Sequence, residues 1–375
     1  MRRLSLLIFS VCAAVLLAMP AGAASPRKWR AVYLEGGSYS NYQQMLAGVA
    51  QGLARRGLID NGDVPVPADT ESTRGMWDWL SRNAKGTIEF ISDGYYSSNW
   101  DAKQRLLNKE KLLQRIKEKK DVDLILAFGT WSGVDMATAD HQVPVFSMSV
   151  SDPVGAGIIK SPEDSGRDNV HSQVEPGRYK RQIAVFHEIF RFKRLGVPYE
   201  DTPEGRATCG MEEIEEAAKE LGIELVRCTT QLDLPDEKQS FLNLRQCVRT
   251  LSSQSDAIYL TQSTGMEGPQ MEELLQPVIH AGLPTFAQQG STLVSWGILM
   301  SLAQVNFAEK ADFEAEAIAK VIQGESPRNI SQIFEAPLGL AINLKTAMQI
   351  GWNPPLEILA AVDEIYQHAQ QKDNK

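Results

Sequence analysis

The sequence predicts an α/β protein of two Rossmann-like lobes with parallel sheets, and three observations carry that reading. Short apolar runs alternate with segments of helical period over almost the whole chain. Two of those runs, Asp123–Phe128 and Val145–Val150, end in polar turns, Gly129-Thr130-Trp131-Ser132 and Ser151-Asp152-Pro153. The third is length, because 375 residues exceed what one hydrophobic core organises.

Each element follows from local pattern. Trp29–Leu34 is an apolar strand that breaks at Glu35-Gly-Gly-Ser-Tyr-Ser40, and a helix with apolar Tyr42, Met45, Leu46, Val49 and Leu53 runs on to Gly57. Ser40 and Gln43 have capping-box spacing. Residues 60–84, with Pro65 and Pro67, are irregular, Thr87–Ser92 is a strand, and Asp101–Lys119 is a charged, solvated helix. Strands at 123–128 and 144–150 flank a helix that starts near Ser132. Residues 153–168, rich in Gly, Pro, Ser and charge, read as a linker. A second alternating set follows, with strands near 194–198, 223–228, 256–261 and 284–288. Ser295–Val305 is an apolar return, Phe307–Gln323 a helix, Ile333–Asn343 a strand, and Pro354-Pro355 open a last helix.

These elements give a leader at 1–24, lobe 1 at 25–152 plus about 295–326, lobe 2 at about 168–292 plus about 330–350, and a C-terminal helix and tail at 351–375. In the leader, Arg2 and Arg3 precede an uncharged stretch, Leu4–Met19, and Pro20-Ala-Gly-Ala23 supplies a cleavage point. Its apolar core of about 16 residues falls short of a bilayer span, so a cleaved export signal is expected. The net charge of −9 becomes about −11 without Arg2 and Arg3, which disfavours nucleic acid and fits a solvated monomer. Of the cysteines that remain, Cys209 and Cys228 are the preferred disulfide, with three free thiols as the alternative. Their spacing matches no zinc pattern, and neither a metal nor a cofactor is expected.

In an open parallel sheet, ligands bind outside the carboxyl ends of strands, so the polar strand ends are the candidate site. On the first loop these are Glu35, Ser38 and Tyr39, and on the third strand's end Thr130, Trp131 and Ser132. Thr130 and Ser132 fit an anionic group at a helix start, or simple capping. Ser151 and Asp152 follow, Asp152 either pairing a ligand ammonium or forming the turn before Pro153. Glu35 is the alternative ammonium partner. Tyr33, Tyr39, Tyr42 and Trp131 offer aromatic faces, although core packing suits Tyr33 and Tyr42 better. From the second lobe come Gln262, Ser263, Gln288 and Gln289, and His171 sits nearer the hinge. No Gly-x-Ser-x-Gly elbow, His-Glu-x-x-His or phosphate loop is present, so no catalytic residue is expected. An exported hydrolase using Asp152 and Glu35 is the enzyme-class rival.

The runs Asp123-Leu-Ile-Leu-Ala-Phe-Gly-Thr130, Val150-Ser-Asp-Pro-Val-Gly-Ala-Gly157, Asp256-Ala-Ile-Tyr259, Gly222-Ile-Glu-Leu-Val226 and Ala341-Ile-Asn-Leu-Lys-Thr-Ala347 carry a resemblance. In this order they are similar to the substrate-binding proteins of ABC importers, and among those to the tryptophan- and tyrosine-type binding lipoproteins. The resemblance implies a type I periplasmic-binding fold with three hinge crossings, the first at Ser151-Asp152-Pro153. It also implies a small polar or amino-acid-like ligand between the lobes, and delivery to an inner-membrane ABC permease from the periplasm. A ligand-binding partner of a membrane sensor would share all of this except delivery. The chain departs from the pattern in a longer 60–100 segment, in Trp131 where small residues are usual, and in lacking the lipid-attachment cysteine.

Overall fold

The structure, a computed structural model, describes residues 27–367 apart from Asp69, Gly265, Glu267, Pro269, Val305, Asn306, Ala336 and Pro337; the leader lies outside the described residues. The chain begins β1 (Trp29–Glu35), α1 (Ser40–Arg55), α2 (Arg74–Asn83), β2 (Ile88–Ser97), α3 (Ala102–Glu118), β3 (Leu124–Phe128), α4 (Gly129–Met136), β4 (Val145–Met148) and β5 (Val170–Ser172). It continues α5 (Arg178–Phe190), β6 (Arg194–Tyr199), α6 (Pro203–Cys209), α7 (Met211–Leu221), β7 (Glu224–Thr229), α8 (Glu237–Leu251), β8 (Ala257–Leu260), α9 (Gln270–His280) and β9 (Thr285–Ala287). The last elements are α10 (Ser291–Ser295), β10 (Met300–Gln304), α11 (Phe307–Ile322), β11 (Leu338–Asn343), α12 (Leu344–Gln349), α13 (Leu356–Ala360) and β12 (Glu364–Tyr366).

Among the described residues the strands form two sheets, β2-β1-β3-β4-β5 and β12-β11-β10-β9-β8-β6-β7. The first is parallel throughout, and in the second only β10 and β11 run antiparallel. Every residue of β3 and β8 is buried, as expected of central strands covered on both faces. Strand order reverses between β1 and β3 in one sheet and between β6 and β8 in the other. Both reversals leave a crevice at carboxyl strand ends.

Several boundaries move from the sequence reading. Residues 153–168 are part of lobe 1, because Ile158 and Ile159 bury in its core with Val150 and β5 extends its sheet from β4. The Gly and Pro there encode turns, not a linker. The first passage between lobes therefore falls between Ser172 and Arg178, after His171 instead of before it. Residues 300–304, assigned to lobe 1 from sequence, form β10 of lobe 2, antiparallel to β11. Lobe 1 regains the chain at α11, whose Ala311 and Ala315 seat against Gly48 and Gly52 of α1. Arg56 clamps Asp312 through Nη1–Oδ1 (2.6 Å) and Nη2–Oδ2 (2.9 Å), which holds that carboxyl well below the usual range.

Other elements change in kind. The 60–84 stretch contains α2, which buries Met76, Trp77 and Leu80. Strand β2 runs past Ser92 because Ser92-Asp93-Gly94 bulges: Ala31 pairs with Phe90, but Tyr33 with Tyr95. The C-terminal segment adds β12 to lobe 2 beside β11, and residues 368–375 lie outside the described ones. The disulfide joins Cys228 to Cys247 with Cα atoms 5.6 Å apart, and Cys209 is free and buried. The sequence pairing failed because the side chain of Cys247 on α8 faces β7, whereas Cys209 packs into the lobe core. Burial pushes its thiol up to about 12.

Candidate functional site

The two crevices face each other, and the strand ends of both lobes line one interlobe cleft. Two adjoining cavities lie in it, sharing Ser149, Ser151 and Gln262 as a waist. The lobes touch across it. Ser151 Oγ donates to Gln262 Oε1 (3.3 Å), Thr208 Oγ1 to Thr130 Oγ1 (3.2 Å), and Gln289 Nε2 to the Tyr39 hydroxyl (3.3 Å). At the rim, Arg105 of α3 pairs with Glu204 of α6 at 3.1 Å and lies 4.8 Å over the Trp131 ring.

The first cavity is lined by Asn41, Arg178, Tyr179, Gln288, Gln289, Phe307 and Lys310 beyond the waist. Gln288 is buried and fixed on both sides, its Oε1 accepting from the Gln262 N–H (2.7 Å) and its Nε2 donating to the Thr208 carbonyl (3.0 Å). Tyr179 donates to the Ser151 carbonyl (3.1 Å). Lys310 and Arg178, each with 13% of its side chain exposed, share one carboxylate, Glu175, at 3.0 and 3.9 Å. Burial pulls the Lys310 ammonium below its ordinary pKa, opposed by Glu175.

The second cavity is acidic and aromatic. Tyr42, Trp100, Thr130 and Trp131 face Glu200, Thr208 and Asp233. Local backbone rules explain the aromatics. Gly36-Gly37 after β1 lacks Cβ atoms because the Trp100 indole lies on it, and a Cβ at Gly37 would overlap the ring. Trp100 holds a left-handed backbone (φ 59°), tied to Gly36 by its N–H (2.8 Å), and the ring meets Trp131 edge-on at 5.6 Å. Strained conformations of this kind gather at binding sites. Gly129 (φ 80°) leaves room for the Tyr42 hydroxyl.

Asp233 keeps part of its surface open to the cleft while protein encloses its other sides, and that burial pushes its carboxyl up to about 7. The Thr264 N–H, donating at 3.1 Å, opposes the rise, and Glu200 adds to it. An unfolded aspartate titrates near 3.9, so the native state holds more protons between roughly pH 4 and 7, and stability falls as pH rises through that window. Asp233→Asn should therefore melt several degrees above the parent at pH 8 and lose the advantage near pH 4. A difference equal at both pH values would contradict it.

The remaining sequence candidates sit elsewhere. Glu35 is fully buried, accepting from Tyr33 (2.7 Å), Thr73 (3.0 Å) and Tyr95 (2.8 Å), and burial raises its pKa. Asp152 accepts from the Gly155 N–H (2.8 Å) in its turn. Ser263 donates to the Leu232 carbonyl (3.0 Å), Ser132 is buried within α4, and Ser38 is half-buried after β1. The structure brings Thr130, Trp131, Ser151, Gln262, Gln288 and Gln289 together at the cavities, with Tyr39 behind them. Neither Thr130 nor Ser132 caps α4. Sequence reasoning missed Trp100, Arg178, Glu200, Asp233 and Lys310. Glu200 carried a readable signal, since it follows β6 as Gln262 follows β8. Among the described residues no group of three or more His, Cys, Asp or Glu is placed to hold a metal.

Comparison with known proteins agrees with this architecture. The family described as "ABC transporter substrate binding protein" matches residues 78–365. No curated protein sequence matches the chain. Among solved structures, a conserved domain protein from Vibrio cholerae superposes with a TM-score of 0.66 at 19% identity, covering 90% of this chain and 100% of its own. An ABC domain from Streptococcus pneumoniae in complex with L-Trp gives 0.65 at 18% identity, covering 89% and 99%. A substrate binding protein with adhesive properties from Clostridium difficile, in its ligand-free, open form, gives 0.58 at 16% identity, covering 91% and 99%. The fold is the type I periplasmic-binding architecture, and with the family match spanning most of its length the chain belongs to the ABC transporter substrate-binding proteins.

Proposed function

We propose that the protein is exported, captures a small polar or amino-acid-like solute in the interlobe cleft, and delivers it to an inner-membrane ABC permease. The observation that carries this reading is the cleft itself, whose walls come from strand ends of both lobes and whose polar groups are pre-positioned by protein hydrogen bonds. A cleft of this kind binds best when closed, so ligand shifts an open–closed equilibrium. The family match and the export pattern at residues 1–24 support delivery from outside the inner membrane, and the L-Trp held by the Streptococcus relative supports an amino-acid-like solute. Thermal melting against the amino acids and related small solutes tests capture. A ligand at a hundred times its Kd should add about 2.7 kcal/mol of stability. A flat response across the panel, with calorimetry also silent, would contradict it.

A further inference from the structure

We propose that the cleft is segregated by charge and selects a small zwitterion whose cationic nitrogen sits among Asp233, Glu200, Trp100 and Trp131 while its anionic group meets Arg178 and Lys310. This deepens the solute-capture reading and rests on it.

Charge balance carries the argument. Among the described residues, neither Asp233 nor Glu200 has a cationic partner: Asp233 accepts from the Thr264 N–H and Glu200 from the Leu232 N–H (3.3 Å). At the opposite end, two largely buried cations, Arg178 and Lys310, share Glu175 as their direct ion-pair partner among the described residues, while Glu213 and Glu314 act on them from farther off. Glu213 keeps its charge while capping α5, accepting the N–H groups of Gly177 (3.0 Å) and Tyr179 (2.7 Å), and it acts on Arg178 through space without pairing with it among the described residues. Enclosed acids without a cationic partner favour a cation at their end, and the two cations lining the first cavity offer charge-assisted hydrogen bonds to an anion at the other.

The walls add chemistry to the charge. The negative end is faced by two indoles and the Tyr42 ring, whose π faces attract an ammonium. Between the ends, the buried Ser149 Oγ has no hydrogen-bond partner, on a residue with φ 53° that lines both cavities. A ligand spanning the waist could satisfy it. The polarity is opposite to the sequence expectation of an anion beside Thr130, because the acids come from the second lobe.

Binding should also move a proton. The titratable groups around Asp233 are Glu200, Tyr39, Tyr42 and Cys209. A carboxyl titrating near 7 is partly protonated at neutral pH, so docking a cation displaces up to about half a proton there. Affinity therefore falls as pH drops below 7.

The test is calorimetric titration of the protein near pH 7, in two buffers of different ionisation enthalpy. L-glutamine, L-tryptophan, 4-aminobutanoate and glycine betaine are the zwitterions; cadaverine, glutarate and glucose are the controls. At least one zwitterion should bind, at least about 100-fold tighter than any control and with proton release. Whether an α-amino acid or an end-charged betaine or ω-amino acid wins identifies the source of the shared chemistry. Asp233→Asn should weaken binding at least about tenfold and abolish proton release, whereas Lys310→Gln should weaken it similarly and leave release intact. Equal binding of a control, unchanged affinity in Asp233→Asn, no proton release by the parent protein, or no binding by any zwitterion would overturn the proposal. Binding of another solute in the broad melting panel without proton release would leave capture standing and remove only the charge assignment.

Discussion

Replacing Gly129 with alanine should destabilise the protein by about 3 kcal/mol, from two independent costs. A non-glycine residue held left-handed costs about 1–2 kcal/mol, and forcing a group into filled space costs about 1–3 kcal/mol more. At φ 80° the new methyl group would overlap the Tyr42 hydroxyl. Tyr42→Phe removes that hydroxyl, so the double variant should recover the overlap cost and keep the backbone cost. Denaturant melts of the four proteins read both parts. An unchanged midpoint in Gly129→Ala would show that α4 does not start with this geometry.

Removing the Cys228–Cys247 disulfide should cost a similar amount. It closes a loop of 19 residues in sequence separation, and cross-links of that span contribute about 3 kcal/mol, largely by restricting the unfolded chain. The need is local. Strand β7 is an edge whose residues are half-buried or exposed, so the bond to α8 holds it where side-chain burial contributes little. Cys228→Ser/Cys247→Ser should melt at lower denaturant, while Cys209, buried and with its pKa raised by that burial, reacts with thiol reagents only after unfolding. A native-state modification at Cys209, or a double variant as stable as the parent, would contradict the assignment.

The fold was largely legible because its signals are local. Apolar runs such as Leu124–Phe128 and Ala257–Leu260 are buried on both faces, so composition alone marks them as central strands. Where lobes begin and end was not legible, because it depends on partners far along the chain. Gly- and Pro-rich residues 153–168 look like a hinge until Ile158 and Ile159 are seen in the lobe 1 core, and β10 declares its lobe only by pairing with β11. Strand β2 was cut short because a polar bulge and a turn have the same composition.

The candidate site divides along the same line. Thr130, Ser151, Gln262 and Gln288 follow strands directly, so the rule about carboxyl strand ends finds them. Asp233, Trp100 and Lys310 sit on later loops or on a helix returning from the other lobe, and only the folded chain brings them to the cleft. Glu35 shows the converse, since its position at the carboxyl end of β1 is right but three hydroxyls enclose it.

Hydrogen exchange with and without the compound that most raises the melting temperature tests the central claim, capture between two lobes, most directly. The account predicts simultaneous protection at residues 129–132 and 149–151 of one lobe and 262–264 and 288–289 of the other. Protection confined to one lobe, or located away from these strand ends, would contradict it.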